Sequence, residues 1–553
     1  MITASKIALA AGVLAAAIGW GAGASAQDAR PVVTAPAGAV QGRAEAGVSA
    51  FKGIPYAAPP VGAYRWRPPA PAVSWSGVRD AARFGAACIQ PTPGAPSIYS
   101  ADLGTTSEDC LTLNVWTPST TEKAPVIVWI HGGALVTGSS RETLYDGSRL
   151  AAAGTVVVSI NYRLGVLGWL AHPDLSAESP VGISGNYGLL DQIAALTWVK
   201  KNIAAFGGDP ANVTIAGESA GGLSVMYLMA SPLARGLFSK AIAQSAYMIS
   251  TPELKTARFG APSAEDAGAR LSRVLQTPSL RAMRAMDPQA LTDAAARGGF
   301  SPFGAVDGTV LPGQVVDVFD RGEQAPVPIL AGFNSGEIRS LRMLAPPAPA
   351  AAADYEQTIR ARYGDLADEF LRLYPSSDMG ESILANTRDA LYGWTSERLV
   401  RSQTASGHPS FLYLFDHGYP ATDQAGLHGF HASELPFMFG MLDRTPPRWP
   451  KVPAAPEQAA LSDAMVGYWT SFVRTGQPQA AGAATWAAYA PGGSYMVFRD
   501  TPEAASDLMP GMFALHEAAM CRRRASGALA WNWNTGLMSP PLPAPSASCT
   551  AAP

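Results

Sequence analysis

Apolar and polar positions along this chain fall into two alternating rhythms. Pro125-Val126-Ile127-Val128-Trp129-Ile130 and Thr155-Val156-Val157-Val158-Ser159-Ile160 are nearly unbroken apolar runs, the pattern of strands covered on both faces. Leu111-Thr112-Leu113-Asn114-Val115-Trp116 alternates instead and predicts a half-buried strand. Val213-Thr214-Ile215-Ala216, Lys240-Ala241-Ile242-Ala243, Val327 to Gly332 and Ser410 to Phe415 predict further short strands. Between them the spacing turns helical. From Asp191 to Phe206 the apolar positions are Ile193, Leu196, Trp198, Val199 and Ile203. A longer helical region, from about Asp354 to Arg401, predicts part of a cap over a site. Val32 to Pro69 carries short alternating runs with Gly and Pro, as in an antiparallel edge. Strands alternating with helices predict an α/β fold: a large, mostly parallel central sheet flanked by helices, with helical cap insertions.

The ends depart from this rhythm. Residues 1–26 read as a secretory signal: Lys6 supplies one charge, Ile7 to Ile18 are apolar, and Ala24-Ser25-Ala26 predicts cleavage that leaves Gln27 first. The apolar stretch is short for a membrane span, and no later segment is long and apolar enough for one. Residues 27–538 are then a single domain, and 539–553 a Pro/Ala-rich, loose tail. This assigns the chain to a secreted or periplasmic location. Ala345 to Ala353 is similarly Pro/Ala-rich and reads as a mobile loop. There are four cysteines, which should pair outside the reducing cytosol. Cys88 is near Cys110 and Cys521 is near Cys549, so Cys88–Cys110 with Cys521–Cys549 is the simplest of three connectivities. In the chain-entropy account a loop the size of the first contributes about 3 kcal/mol.

Composition narrows the function. Hydrophobic residues are 48% of the chain and charged residues 15%, enough for a large core. With 40 basic and 43 acidic side chains there is no basic excess to hold nucleic acid. The one basic cluster, Arg522-Arg523-Arg524, reads as a solvated surface turn. No His/Cys/Asp/Glu spacing suggests a metal site. Nothing in the pattern sets an oligomeric state.

The chemistry is carried by Gly217-Glu218-Ser219-Ala220-Gly221. A strand pattern leads in and a helical one leads out, with the turn cluster Phe206-Gly207-Gly208-Asp209-Pro210 upstream. Glycines on both sides of a serine at a strand-to-helix turn fit a nucleophile elbow, where the chain is too crowded for neighbouring side chains. The pentapeptide alone is a weak signal; its context makes it strong. His131-Gly132-Gly133-Ala134-Leu135 directly follows an apolar strand, where glycines allow N–H groups to approach a substrate carbonyl. Gly132, Gly133 and Ala220 are therefore the candidate oxyanion-hole donors. His131, with no partner at ligand spacing, reads as a packed structural residue.

These blocks resemble the type-B carboxylesterase family, the cholinesterase-like branch of the α/β-hydrolases. Glu108-Asp109-Cys110-Leu111-Thr112-Leu113-Asn114-Val115-Trp116 is similar to one family signature, and Phe206 to Pro210 with Ser219 to Gly222 to the other. Asn161-Tyr162-Arg163-Leu164-Gly165 and Asp191-Gln192 to Asn202-Ile203 are similar to further family blocks. The resemblance runs from about Val32 to about Trp533 and implies an α/β-hydrolase fold. It also implies a Ser–Glu–His triad in that chain order. The acid segment is Gly332-Phe333-Asn334-Ser335-Gly336-Glu337, making Glu337 the acid, with Asp307 as rival. His431-Ala432-Ser433-Glu434 resembles the segment around the family's base, making His431 the base and His428, which lacks the matching Glu, the rival. This chain departs from the pattern at Ala134, Ala246 and Ile338, each where glycine is usual.

The expected reaction is hydrolysis of small carboxylic esters through an acyl-enzyme, with no metal or organic cofactor. Amides, thioesters or lactones are alternative substrates for the same triad, and a non-catalytic cholinesterase-like binding module is the alternative outside catalysis. Arg339 and Arg342, just after the acid, are candidates to hold a substrate carboxylate; their other reading is as salt bridges.

Overall fold

The computed structural model describes residues 30–277 and 279–549. The proposed signal segment and its cleavage point lie outside the described residues. The centre is one sheet of eleven strands. In chain order they are β1 (Arg43–Glu45), β2 (Val48–Pro55), β3 (Thr112–Thr117), β4 (Ala124–Ile130), β5 (Val156–Ile160) and β6 (Gly208–Glu218). Then come β7 (Lys240–Gln244), β8 (Ile329–Asn334), β9 (Phe411–Phe415), β10 (Tyr495–Phe498) and β11 (Pro502–Ala505). Their spatial order is β11-β10-β9-β8-β7-β6-β4-β5-β3-β2-β1. Neighbours from β5 across to β10 run parallel. The margins, β1 to β3 on one side and β11 on the other, join antiparallel. A small three-stranded sheet, Val32–Ala35, Gly38–Gln41 and Val78–Asp80, lies apart from it.

The unbroken apolar runs are explained by two cores, one on each face. Along β4, Val126, Val128 and Ile130 enter the first core, while Ile127 and Trp129 enter the second. On the first face pack α1 (Tyr187–Asn202), α2 (Ala220–Ala230) and α3 (Trp394–Ala405). On the second packs α4 (Pro456–Thr475), through Leu461, Met465, Trp469 and Phe472. The 354–401 region is helical, as its spacing predicts, though broken into several pieces, one of them a π-helical turn at Asp389–Gly393.

Two expectations need correction. β3 is buried along its whole length rather than half-buried. Its polar position Asn114 faces a second layer, receiving the Gly53 N–H at 3.0 Å and donating to Ser140 and Ser159. A polar side chain satisfied inside the protein gives the same alternation as one facing water. The arginine triplet is not a surface turn. It belongs to α5 (Met512–Ser526), with Arg522 on Asp365, Arg524 between Asp317 and Asp320, and Arg523 1% exposed.

Cysteines pair as Cys88–Cys110 and Cys521–Cys549. The second bond fastens residues 539–549 against α5, and Leu542 N–H donates to the Arg362 carbonyl at 2.8 Å. Among the described residues no helix is long and apolar enough to cross a membrane.

Candidate active site

The site is assembled at the carboxyl ends of the central parallel strands. β4 ends at Ile130 and delivers His131-Gly132-Gly133; β6 ends at Glu218 and delivers Ser219; β8 ends at Asn334 and delivers Glu337. The loop after β9 carries His431. Carboxyl ends of parallel strands are where open α/β sheets place their ligands.

Ser219 sits at φ 57° and ψ −120°, a strained conformation held between β6 and α2. Close approach forces the flanking glycines: a Cβ on Gly221 would lie 2.0 Å from the Ile130 carbonyl oxygen, and one on Gly217 2.5 Å from Gly221. The Ser219 N–H is held by the Gln244 carbonyl at 2.9 Å. Gly132 is adjacent, its missing Cβ 3.2 Å from that of Ser219. Gly133 has φ +101°, and a Cβ there would meet the Thr137 carbonyl. The N–H groups of Gly132, Gly133 and Ala220 have no hydrogen-bond partner among the described residues. Ala134 follows at φ 56° and Leu135 at φ 61°, so alanine occupies a left-handed position that favours glycine. Beneath, the His131 ring is stacked on Tyr162 at 4.5 Å and fully buried, and the Tyr162 hydroxyl donates to the His131 carbonyl. Burial holds that imidazole down at about 4, the state of a neutral packing residue.

Glu337 is fully buried, with Oε1 receiving the Asn334 N–H at 2.9 Å and Oε2 bonded to Nδ1 of His431. Gly336 lets this loop lie against the next, where its N–H donates to the Gly429 carbonyl at 2.7 Å. Ile338 is buried in the first core, so its departure from glycine is used as packing. His428 lies elsewhere, half-exposed between Asp423 and Asp416. Asp307 caps a turn, receiving the N–H groups of Thr309, Val310 and Leu311.

The other ring nitrogen of His431, Nε2, is 3.1 Å from Oε1 of Glu218. Nε2 makes no hydrogen bond to the Ser219 hydroxyl in this structure. Burial pulls the imidazole down, but Glu218 and Glu337 more than reverse this and hold it up at about 9. Burial pushes the Glu218 carboxyl up to about 8, against the attraction of His431. Glu434 is likewise pushed up by burial, to about 7, and is clamped by Gln244 at 2.9 Å and Asn334 at 2.6 Å. Glu218 lies inside the pentapeptide itself, yet nothing in the sequence marks its side chain as turning inward.

Aromatic rings wall the imidazole: Tyr392 at 5.5 Å and Tyr99 at 6.3 Å between ring centres. Tyr392 belongs to the π-helical turn, an irregularity that recurs at functional sites. The candidate arginines are not joined to this centre. Arg339 pairs with Glu381 at 2.6 Å, beside a cavity that also faces Arg388, Asp416 and His428. Arg342 is exposed.

The profile of the carboxylesterase family matches residues 29–510. Para-nitrobenzyl esterase of Bacillus subtilis (strain 168) is 38% identical over 469 residues, covering 83% of this chain and 92% of its own length. Fumonisin B1 esterase of Sphingopyxis macrogoltabida is 36% identical over 452 residues, 77% of this chain and 78% of its own. A solved PNB esterase structure superposes with a TM-score of 0.75 at 32% identity, covering 88% of this chain and 99% of that one. With this sheet, these helices and these relatives, the chain belongs to the carboxylesterase family, has the α/β-hydrolase fold, and is a carboxylic ester hydrolase.

Proposed function

We propose that this esterase works through an acyl-enzyme on Ser219, with His431 as base and Glu337 as the acid that orients it. The observation that carries this reading is the convergence of three strand ends. Nδ1 of His431 is bonded to Glu337, while Nε2 opens toward the elbow bearing Ser219. The reactive state is the one in which Nε2 has given its proton to Glu218, against the pull of the two carboxylates on the charged ring, so that the ring is neutral and Nε2 has its lone pair. A short swing of the ring from Glu218 to Ser219 then completes the nucleophile–base contact, which is commonly loose before substrate binds. Nε2 takes the Ser219 proton as Oγ attacks the ester carbonyl. The oxyanion is received by the unpartnered N–H groups of Gly132, Gly133 and Ala220. The imidazolium returns the proton to the departing alcohol, and water activated by the same ring releases the acid.

The Tyr99 and Tyr392 rings favour esters with an alkyl or aryl group to lay against them. Signal cleavage after Ala26 and export to the periplasm or medium complete the proposal, supported by the N-terminal pattern and the two disulfides. Residues 27–538 form the catalytic domain in this reading.

Ser219→Ala tests it. Turnover of p-nitrophenyl acetate should fall by about 10⁴-fold or more with the melting temperature little changed. A serine-directed fluorophosphonate should add mass to the parent protein and not to the variant. Undiminished turnover, or labelling of the variant, would overturn the assignment of Ser219.

A further inference from the structure

The loop closed by Cys88–Cys110 reaches the segments that carry Glu337 and His431 through Tyr99. Tyr99 stands midway in that loop, eleven residues from each cysteine. Its hydroxyl is 3.0 Å from the carbonyl oxygen of His431 and 2.7 Å from Oγ of Ser340. A phenol has one proton, and a carbonyl can only accept. The Tyr99 proton therefore goes to His431, and Ser340, whose hydroxyl is 3.4 Å from the Glu337 carbonyl oxygen, donates to the nearer phenol oxygen. Ser340 is the last residue of the short helix Glu337–Ser340, which Glu337 begins. One hydroxyl thus spans the backbone of His431 and the helix of Glu337. The ring is kept in place by an edge contact with Trp449 at 6.2 Å, and Trp449 in turn packs on Phe430 at 4.9 Å, next to His431.

We propose that Tyr99 is a positioning residue for ester hydrolysis, its hydroxyl tying the Glu337 helix to the His431 backbone so that the two side chains stay in register. This rests on the assignment of His431 and Glu337 given above. The bond between those side chains fixes one end of the imidazole; the Tyr99 bridge fixes the backbones from which both side chains extend. Catalytic groups shifted by a fraction of an ångström lose rate without losing affinity, because ground-state binding does not depend on their alignment.

Tyr99→Phe removes the bridging hydroxyl and keeps the ring; Ser340→Ala removes the second arm alone. With p-nitrophenyl acetate on the oxidised full chain, Tyr99→Phe should lower kcat about tenfold while KM stays within about twofold. Ser340→Ala should lower kcat less. The double variant should be no slower than Tyr99→Phe, since both remove one connection. Unchanged kcat in Tyr99→Phe, a loss confined to KM, or losses that multiply in the double variant would each overturn the proposal. Ser219→Ala separates the two readings. Turnover surviving there removes the triad itself, whereas a normal kcat in Tyr99→Phe removes only the bridge.

Discussion

Two carboxylates face the His431 imidazole from opposite sides, Glu337 at Nδ1 and Glu218 at Nε2. Each favours the protonated ring, whereas the proposed mechanism needs a neutral ring to accept the Ser219 proton. Glu218→Gln keeps a polar group at Nε2 and removes its charge. The His431 pKa should then fall, so the acid limb of kcat/KM should move to lower pH; a pH–rate profile on a neutral ester checks this. An acid limb that stays in place or moves up would show that Glu218 does not set the ring's charge. At this scale the sequence was informative where chemistry demands a residue type in a fixed local setting. Ser219 between glycines and Glu434 three residues after His431 are cases of this, the latter separating His431 from His428. It was uninformative where only direction matters. Arg339 stands beside the acid loop in the chain, but its guanidinium goes to Glu381.

At the scale of elements, the strand–elbow–helix unit depends on missing side chains. Gly221 lets α2 pass the end of β4, its Cβ position filled by the Ile130 carbonyl oxygen. Gly221→Ala should therefore push α2 away from β4 and carry Ser219 and the Ala220 N–H with it. A loss of about 1–3 kcal/mol in stability is expected from such overpacking. A fall of about 10²-fold or more in kcat should accompany it if the oxyanion donors shift. Gly380→Ala is the control: it lies in the helix Met379–Arg388 with open space at its Cβ, and should leave kcat unchanged and stability equal or higher. Differential scanning calorimetry and steady-state rates on the two variants decide the matter. Strands of this kind are legible because β4 and β5 are covered on both faces and so are almost wholly apolar. β3 departs from its half-buried pattern because Asn114 is satisfied internally. The arginine triplet is not a surface turn because Asp365, Asp317 and Asp320 come to meet it, which charge along the chain does not show.

The whole molecule buries an acidic cluster behind its site, which sets how stability follows pH. Burial raises Glu142 and Glu434 to about 7 and Glu218 to about 8 in the folded state. Each stabilises below its unfolded pKa and loses that contribution as pH climbs through the folded value. His431, held up at about 9, has the same sign and a later window. His131 and His516, both held near 4 by burial, have the opposite sign: their contribution is intact above the unfolded value and declines as pH falls from 6.5 toward 4. Between pH 6.5 and 9 the carboxyls and His431 act together, so the melting temperature should decline across that range. Glu142→Gln should make its early part, up to about pH 7, shallower. A melting temperature that is flat or rises from pH 6.5 to 9 would contradict this account. None of it was visible along the chain, because burial is a property of the assembled cores rather than of any segment.

The Cys88–Cys110 bond has a consequence for when the enzyme becomes active. The loop it closes holds Tyr99 at its midpoint, and Tyr99 reaches the His431 backbone and the helix of Glu337, the segments proposed to carry catalysis. A newly made chain still carrying free thiols would have that loop untethered and its hydrolytic machinery idling. With the export proposed above, full turnover would arrive with oxidation after the chain has left the reducing cytosol. Chains matured in a reducing cytosol should be sluggish until an oxidant is added, and a Cys88→Ser/Cys110→Ser pair should stay sluggish afterwards.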